Sequence, residues 1–250
     1  MREGLIKTDN VLRLLGAVAE LKRAHQAASG RSLAVVEGLT GRGKTTATEW
    51  YVVQDADCAY LEADPDWTPS WLLRDVAEAL GLTRAHALET NKLAVVEEQK
   101  RRPRLLVIDE ADRVVRRSAL LETVRGLHDK ARLPIVLVGE AGIWQAIFRK
   151  SPRTADRVSQ VVPFRDVSAK DIEQTALELC DLRLPPERAA QIQKTAQGNF
   201  RRAAKILGEL EKVLKVNPGE VSPAKVELAL QNLQMAEARE SRKRAAAGGS

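Results

Sequence analysis

Residues 38–45 read GLTGRGKT and fit the pattern G-x-x-x-x-G-K-[ST] through Gly38, Gly43, Lys44 and Thr45. Each residue type has a task in holding a polyphosphate. Glycines let the backbone turn so that successive N–H groups, from Leu39 and Thr40 through Gly41 and Arg42, point at phosphate oxygens. Lys44 reaches the β- and γ-phosphates, the Thr45 hydroxyl ligates magnesium, and Thr46 is placed for the α-phosphate. The helix that should begin at Lys44 adds the positive end of its dipole. An apolar strand before the loop and a helical pattern after it supply the context that the motif requires.

A second constellation lies at residues 105–110, LLVIDE. Four apolar residues ending in two carboxylates place Asp109 at the carboxyl edge of a buried strand, where open α/β sheets bind ligands. There Asp109 would hold the magnesium through water, and Glu110 would orient and deprotonate an attacking water.

Such groups need a rigid frame, and the apolar periodicity provides one. SLAVVEG (32–38), CAYLEA (58–63), RLLVID (104–109), PIVLVG (134–139) and QVVPF (160–164) read as short buried strands. Helical stretches separate them, including 8–28 after a capping Thr8 or Asp9, and SWLLRDVAEAL between Thr68-Pro69 and Gly81. Continuous apolar strands alternating with helices imply a parallel five-stranded sheet covered on both faces.

From Ser168 the pattern holds helices only, opened by Ser168, Pro185-Pro186, Gly198 and Ser222-Pro223. The expected organisation is an α/β domain over 1–167, a small helical domain over 168–235, and a frayed basic tail over 236–250 carrying Arg242, Lys243 and Arg244. The 250 residues, 44% of them apolar and 30% charged, exclude collagen-like and globally disordered classes. No apolar run nears the roughly 20 residues of a membrane span, and the start lacks a signal-peptide stretch, so a cytoplasmic protein is expected. Cys58 and Cys180 stand alone, as buried thiols rather than metal ligands. The net charge of +6 permits a nucleic-acid partner without requiring one.

Taken together, VVEGLTGRGKTT, LLVIDEAD, IVLVGE and GNFRRAAKIL resemble the AAA+ ATPases over residues 8–235. Within them the chain looks most like the DNA-transposition ATPases of the Mu B and TniB/TnsC group. The finer marks are the TDNV start, YLEADPDWTPSWLLRDVAEALG and LHDKARLPIVLVGEAGIW. The resemblance implies an AAA+ P-loop fold with a helical lid, with ATP and Mg2+ as cofactors. It also implies subunits assembled as a ring or a helical filament.

It further implies particular roles. The fourth core strand of the family ends in a residue that senses the γ-phosphate, and here Glu140 stands in that place. An arginine finger reaching the neighbouring subunit's nucleotide would be Arg157, with Arg149 and Arg153 as alternatives. The lid pattern G-x-x-R falls on Gly198 and Arg201, making Arg201 the second sensor and Arg202 its substitute. Guanidinium groups at these places offset charge on the γ-phosphate.

In such assemblies the loops after the second and third strands line the centre, here 64–70 and DRVVRRS (112–118). Arg113, Arg116 and Arg117, with Arg84 and Lys92 in TRAHALETNK, are the candidate contacts to duplex DNA phosphates. The run Lys100-Arg101-Arg102-Pro103-Arg104 reads as a solvated face at the opposite sheet edge. Trp67, Trp71 and Trp144 read as packing residues, because 4% aromatic content makes a poor stacking platform.

The leading functional reading is a regulatory ATPase that binds double-stranded DNA without sequence preference and recruits or activates a transposase. A secretion-associated AAA+ machine and an origin-binding or helicase-loading ATPase are the alternatives. An inactive scaffold is disfavoured because Lys44, Thr45, Asp109 and Glu110 are all present.

Overall fold

A computed structural model describes residues 4–27 and 30–247, with side chains as far as Arg239. Two compact units emerge, Asn10–Phe164 and the described residues on either side of that span. The boundary expected after residue 167 therefore lies after Phe164, and the residues up to Asp9 group with the helical unit.

In the larger unit, α1 (Asp9–Gln26) precedes β1 (Leu33–Glu37), α2 (Lys44–Gln54), β2 (Cys58–Glu62), α3 (Pro69–Ala79) and α4 (Leu88–Arg101). Then come β3 (Leu105–Asp109), α5 (Asp112–Arg116), α6 (Ser118–Ala131), β4 (Ile135–Gly139), α7 (Ile143–Lys150), α8 (Pro152–Ala155) and β5 (Val158–Pro163). All five strands are parallel, in the order β2-β3-β4-β1-β5. The α/β fold with a five-stranded parallel sheet is as the sequence implied. Central strands β3 and β4 are buried at every residue, and their runs of Leu, Val and Ile contribute about 1.5–3 kcal/mol per fully buried side chain. Edge strands β2 and β5 are only partly covered.

Local signals explain several boundaries. The Thr68 hydroxyl accepts the Trp71 N–H at 3.3 Å and Pro69 occupies the first turn of α3. One expected loop differs from the structure, because Asp112–Arg116 is a short helix. The next helix upstream, α4, begins at Leu88, so Lys92 of TRAHALETNK stands on a helix. Trp67 is buried, with its indole N–H on Asp75 at 2.7 Å, but Trp71 is 48% exposed and so is not a core residue. Cys58 and Cys180 are free thiols.

The helical unit holds α9 (Ala169–Cys180), α10 (Pro186–Ala196), α11 (Phe200–Val216) and α12 (Pro223–Ala247) around Ile172, Ile192, Ile206, Leu210 and Val226. Ser168 and Asp171 form a reciprocal capping box at the start of α9. The frayed tail expected from Ala236 is instead helical to Ala247, because α12 continues through Glu237–Arg239 in good helix formers. The side chains of Arg242, Lys243 and Arg244 lie outside the described residues. Among the described residues, no helix is long and apolar enough to cross a membrane.

Candidate nucleotide site

The site is built at the carboxyl edge of the sheet. Chain leaving β1 turns through residues 38–43 and enters α2, with Gly43 at its N-cap in the left-handed region (φ 86°), a conformation that favours glycine. No side chain caps α2, so its first N–H groups are left to a ligand. Lys44 folds back over the loop, donating from Nζ to the Gly38 carbonyl at 2.6 Å and the Leu39 carbonyl at 3.2 Å. Burial lowers its pKa, while the charges of Asp109, Glu140, Asp112 and Glu110 pull it back up. Thr45 and Thr46 stand exposed at the head of α2, whereas Arg42 is buried.

Asp109 ends β3 and is 3% exposed. Its Oδ2 accepts the Tyr60 hydroxyl at 3.0 Å and its Oδ1 accepts the Glu110 N–H at 2.7 Å. Tyr60 is not legible as a site residue in the sequence, because only the β2–β3 register brings it beside this strand end. Burial first, and then the Asp109 charge, drive the Tyr60 pKa up, so it remains a donor at neutral pH. Glu110 takes a left-handed backbone conformation (φ 51°), which sets it outside the strand line. Its half-exposed carboxylate lies 3.8 Å from the Arg113 guanidinium.

Glu140 follows β4 and accepts a hydrogen bond from the Thr40 hydroxyl at 3.3 Å, so the structure does bring it to the phosphate loop. Its backbone N–H donates to Asp112 Oδ2 at 2.7 Å, which adds Asp112 to the site. Gly139 makes this approach possible. A Cβ there would lie 2.4 Å from Ile143 Cδ1 and 2.5 Å from Asp112 Oδ2. Gly139→Ala is therefore expected to lower stability by about 1–3 kcal/mol through overpacking, and to impair hydrolysis by displacing Asp112. Urea unfolding and ATP turnover check it, and an unchanged midpoint refutes the contact.

Magnesium fits this donor set. Among the described residues no three-ligand His/Cys/Asp/Glu cage occurs, and Mg2+ at nucleotide sites needs only one or two protein oxygens beside phosphate and water. The Thr45 hydroxyl and Asp109 carboxylate would supply those oxygens, and the ion would neutralise charge on the transferred phosphate.

The arginines are placed unevenly. Arg157 is held by Asp129, with Nε at 3.1 Å from Oδ1 and NH2 at 3.4 Å from Oδ2, whereas Arg149 and Arg153 are exposed without a hydrogen bond or ion pair among the described residues. In the helical unit Arg201 is exposed in the first turn of α11, beside the Arg202 N–H that donates to the Asn199 cap at 3.0 Å.

Of the expected DNA contacts, Arg113 donates to Glu62 and the Ala63 carbonyl, and Arg117 to the Trp67 and Pro65 carbonyls at 2.8 and 2.5 Å. Arg84 pairs with Asp75 and Glu78, and Lys92 with Glu89. Arg116 alone among the five is exposed with neither a side-chain hydrogen bond nor an ion pair to a described residue.

Residues 25–147 match the family described as an AAA domain. No curated protein matches the chain in sequence. Among solved structures, the chain is similar to the Aeropyrum pernix ORC2 protein with ADPNP and ADP (18% identity, 91% of this chain and 72% of that chain, TM-score 0.67). It is also similar to the Thermotoga maritima RuvB Holliday junction branch migration motor (17% identity, 90% and 70%, TM-score 0.63). A third likeness is to Aeropyrum pernix ORC1 in complex with DNA (17% identity, 86% and 65%, TM-score 0.56).

Proposed function

We propose that the chain is an AAA-family P-loop ATP hydrolase and works as a DNA-bound regulatory ATPase that presents target DNA to a transposase. The carrying observation is the fold, similar over about nine-tenths of the chain to a branch migration motor, and similar also to an ORC protein in complex with DNA. The transposase partner is supported by the sequence resemblance in the TDNV start and in residues 60–81 and 127–144.

ATP binds at the phosphate loop with Lys44 on the β- and γ-phosphates and Thr46 on the α-phosphate, and Thr45 and Asp109 would hold Mg2+. Glu110 takes the proton of the attacking water. A carboxylate repels phosphate, so Glu140 acts through the Thr40 hydroxyl it accepts from, not by touching the γ-phosphate. An exposed arginine of α7 or α8, or Arg157 once released from Asp129, completes a neighbour's site in a ring or filament. Arg201 is the helical unit's sensor of the nucleotide.

DNA contact without sequence readout falls first to Arg116. Arg113 and Arg117 would have to exchange protein acceptors for phosphates. The similarity to ORC2 favours origin binding as the second reading, and it predicts sequence preference where the first predicts none.

The test uses Glu110→Gln with ATP, titrated with two unrelated duplexes at two salt concentrations. Equal binding of both duplexes, requiring ATP and weakening steeply with salt, is expected. Arg116→Ala should flatten the log–log slope by roughly 0.9 for each DNA phosphate it leaves unneutralised. A strong preference for one duplex favours the second reading. No affinity even at low salt removes DNA from the function.

A further inference from the structure

Far from the phosphate loop, at the amino-terminal edge of the sheet, a cavity of about 770 Å3 opens where α1, α4 and α6 end. Its floor is apolar, formed by Pro103, Leu105, Ala131 and Pro134, and its walls are cationic. Asp57 is the sole carboxylate among the lining residues, and Arg102 pairs with it at 2.7 Å. Of the cations, Lys22 pairs with Asp55 and Lys100 with Glu97. Arg104, Lys130 and Arg132 line the same cavity and have no ion pair among the described residues.

The basic run 100–104 is therefore not uniform. Lys100 and Arg102 each meet a surface carboxylate and Arg101 meets that of the buried Glu98, whereas Arg104 turns into the cavity without one. Helix ends account for some basic residues here, since Lys100 and Lys130 complement the negative ends of α4 and α6. They do not account for Arg104, which stands in the coil before β3, or for Arg132, which follows α6 in a left-handed conformation (φ 50°).

Two donors sharpen the case. Gln99 is 5% exposed, and its Oε1 accepts the Arg104 N–H at 2.9 Å, which fixes the orientation of the amide. That leaves Gln99 Nε2 without an acceptor, and Arg104 Nε lacks one as well. Orphaned buried donors are costly, so their concentration beside unpaired guanidinium groups marks a place where an acceptor is missing.

We propose that this cavity is an anion site that takes the phosphate group of a phosphate ester, held by Arg104, Arg132 and Lys130, with Gln99 donating after a small rotation. Guanidinium groups match phosphate oxygens bidentately, and the volume lies within the range of small-ligand sites, with an apolar floor for the rest of the ester. This inference is independent of the DNA and transposase reading.

Pyrophosphate is the probe, titrated into the full Lys44→Ala chain so that the phosphate loop is silent. Saturable binding is expected, and Arg104→Gln with Arg132→Gln should weaken it at least about tenfold. In the wild-type background the same pair should leave ATP affinity unchanged. Competition by a nucleoside monophosphate against a short duplex then tells a small ester from a nucleic-acid backbone, either of which bears the site out. Should the double variant fail to fold, the Gln99 side-chain amide resonance of the 15N-labelled Lys44→Ala chain serves instead. Its movement on pyrophosphate addition supports the site. A still resonance, no binding, or binding indifferent to both substitutions overturns it.

Discussion

Lys44→Ala is expected to weaken ATP binding by about a hundredfold or more. Lys44 is the cation of the loop that its motif assigns to phosphate, and charge-assisted hydrogen bonds contribute about 1.5–3 kcal/mol each, so removing its bonds to two phosphates costs roughly 3 kcal/mol. The free protein should hardly notice. Its Nζ is satisfied by the part-buried Gly38 carbonyl and the exposed Leu39 carbonyl, and by no carboxylate among the described residues. Burial lowers the Lys44 pKa, so the charged form costs folding stability at neutral pH, and that cost fades as pH rises through the depressed folded value. Removing the ammonium therefore leaves the melting temperature without nucleotide equal or slightly higher. The ligand-linked gain, about 2.7 kcal/mol at a hundredfold excess of ATP over Kd, disappears. Thermal shifts with and without ATP measure both effects together. Affinity within threefold of wild type would sink the assignment of the loop.

Glu110→Gln should slow ATP hydrolysis by about 10²–10⁴-fold while ATP binding stays within a few-fold of wild type. The substitution keeps the size of the side chain and the backbone hydrogen bond from Glu110 N–H to Asp109 at 2.7 Å. What it removes is the ability to accept a proton from water, together with the charge facing Arg113 at 3.8 Å. Because Asp109 is buried and tied to Tyr60, it stays in place and the effect falls on turnover. Single-turnover hydrolysis beside an equilibrium ATP titration separates the two quantities. If turnover stays within threefold of wild type, the base is another group, and Asp112 or Glu140 becomes the next to examine.

How far the sequence can be read depends on whether a feature is local. The phosphate loop, the LLVIDE strand end and the starts of the C-terminal helices are written in contiguous residues, so type and spacing suffice. Partnerships across the sheet are not. Tyr60 joins Asp109 only because β2 and β3 pair in one particular register, and Asp112 joins Glu140 only because Gly139 leaves room for it. The basic residues are least legible. Composition counts Arg84, Lys92, Arg113 and Arg117 as available cations, yet each finds an acceptor nearby in space. Arg157 illustrates the same limit, since its Asp129 partner lies 28 residues away in sequence. The extension of α12 past Ala236 escapes a reading based on apolar content, because Ala, Glu and Arg favour helix without burial.

Among these contacts, the Glu37 carboxylate matters beyond packing. It ends β1 and accepts the N–H groups of Gly142 and Trp144 at 3.2 and 3.1 Å, where α7 begins. Two helices thus start at the carboxyl edge beside the phosphate loop, α2 and α7, and each would attract an anion by its dipole. Glu37 fills the α7 terminus with the protein's own negative charge, whereas α2 has neither a side-chain cap nor an acid in its first turn. A triphosphate arriving at this edge therefore meets one vacant positive pole and one already neutralised.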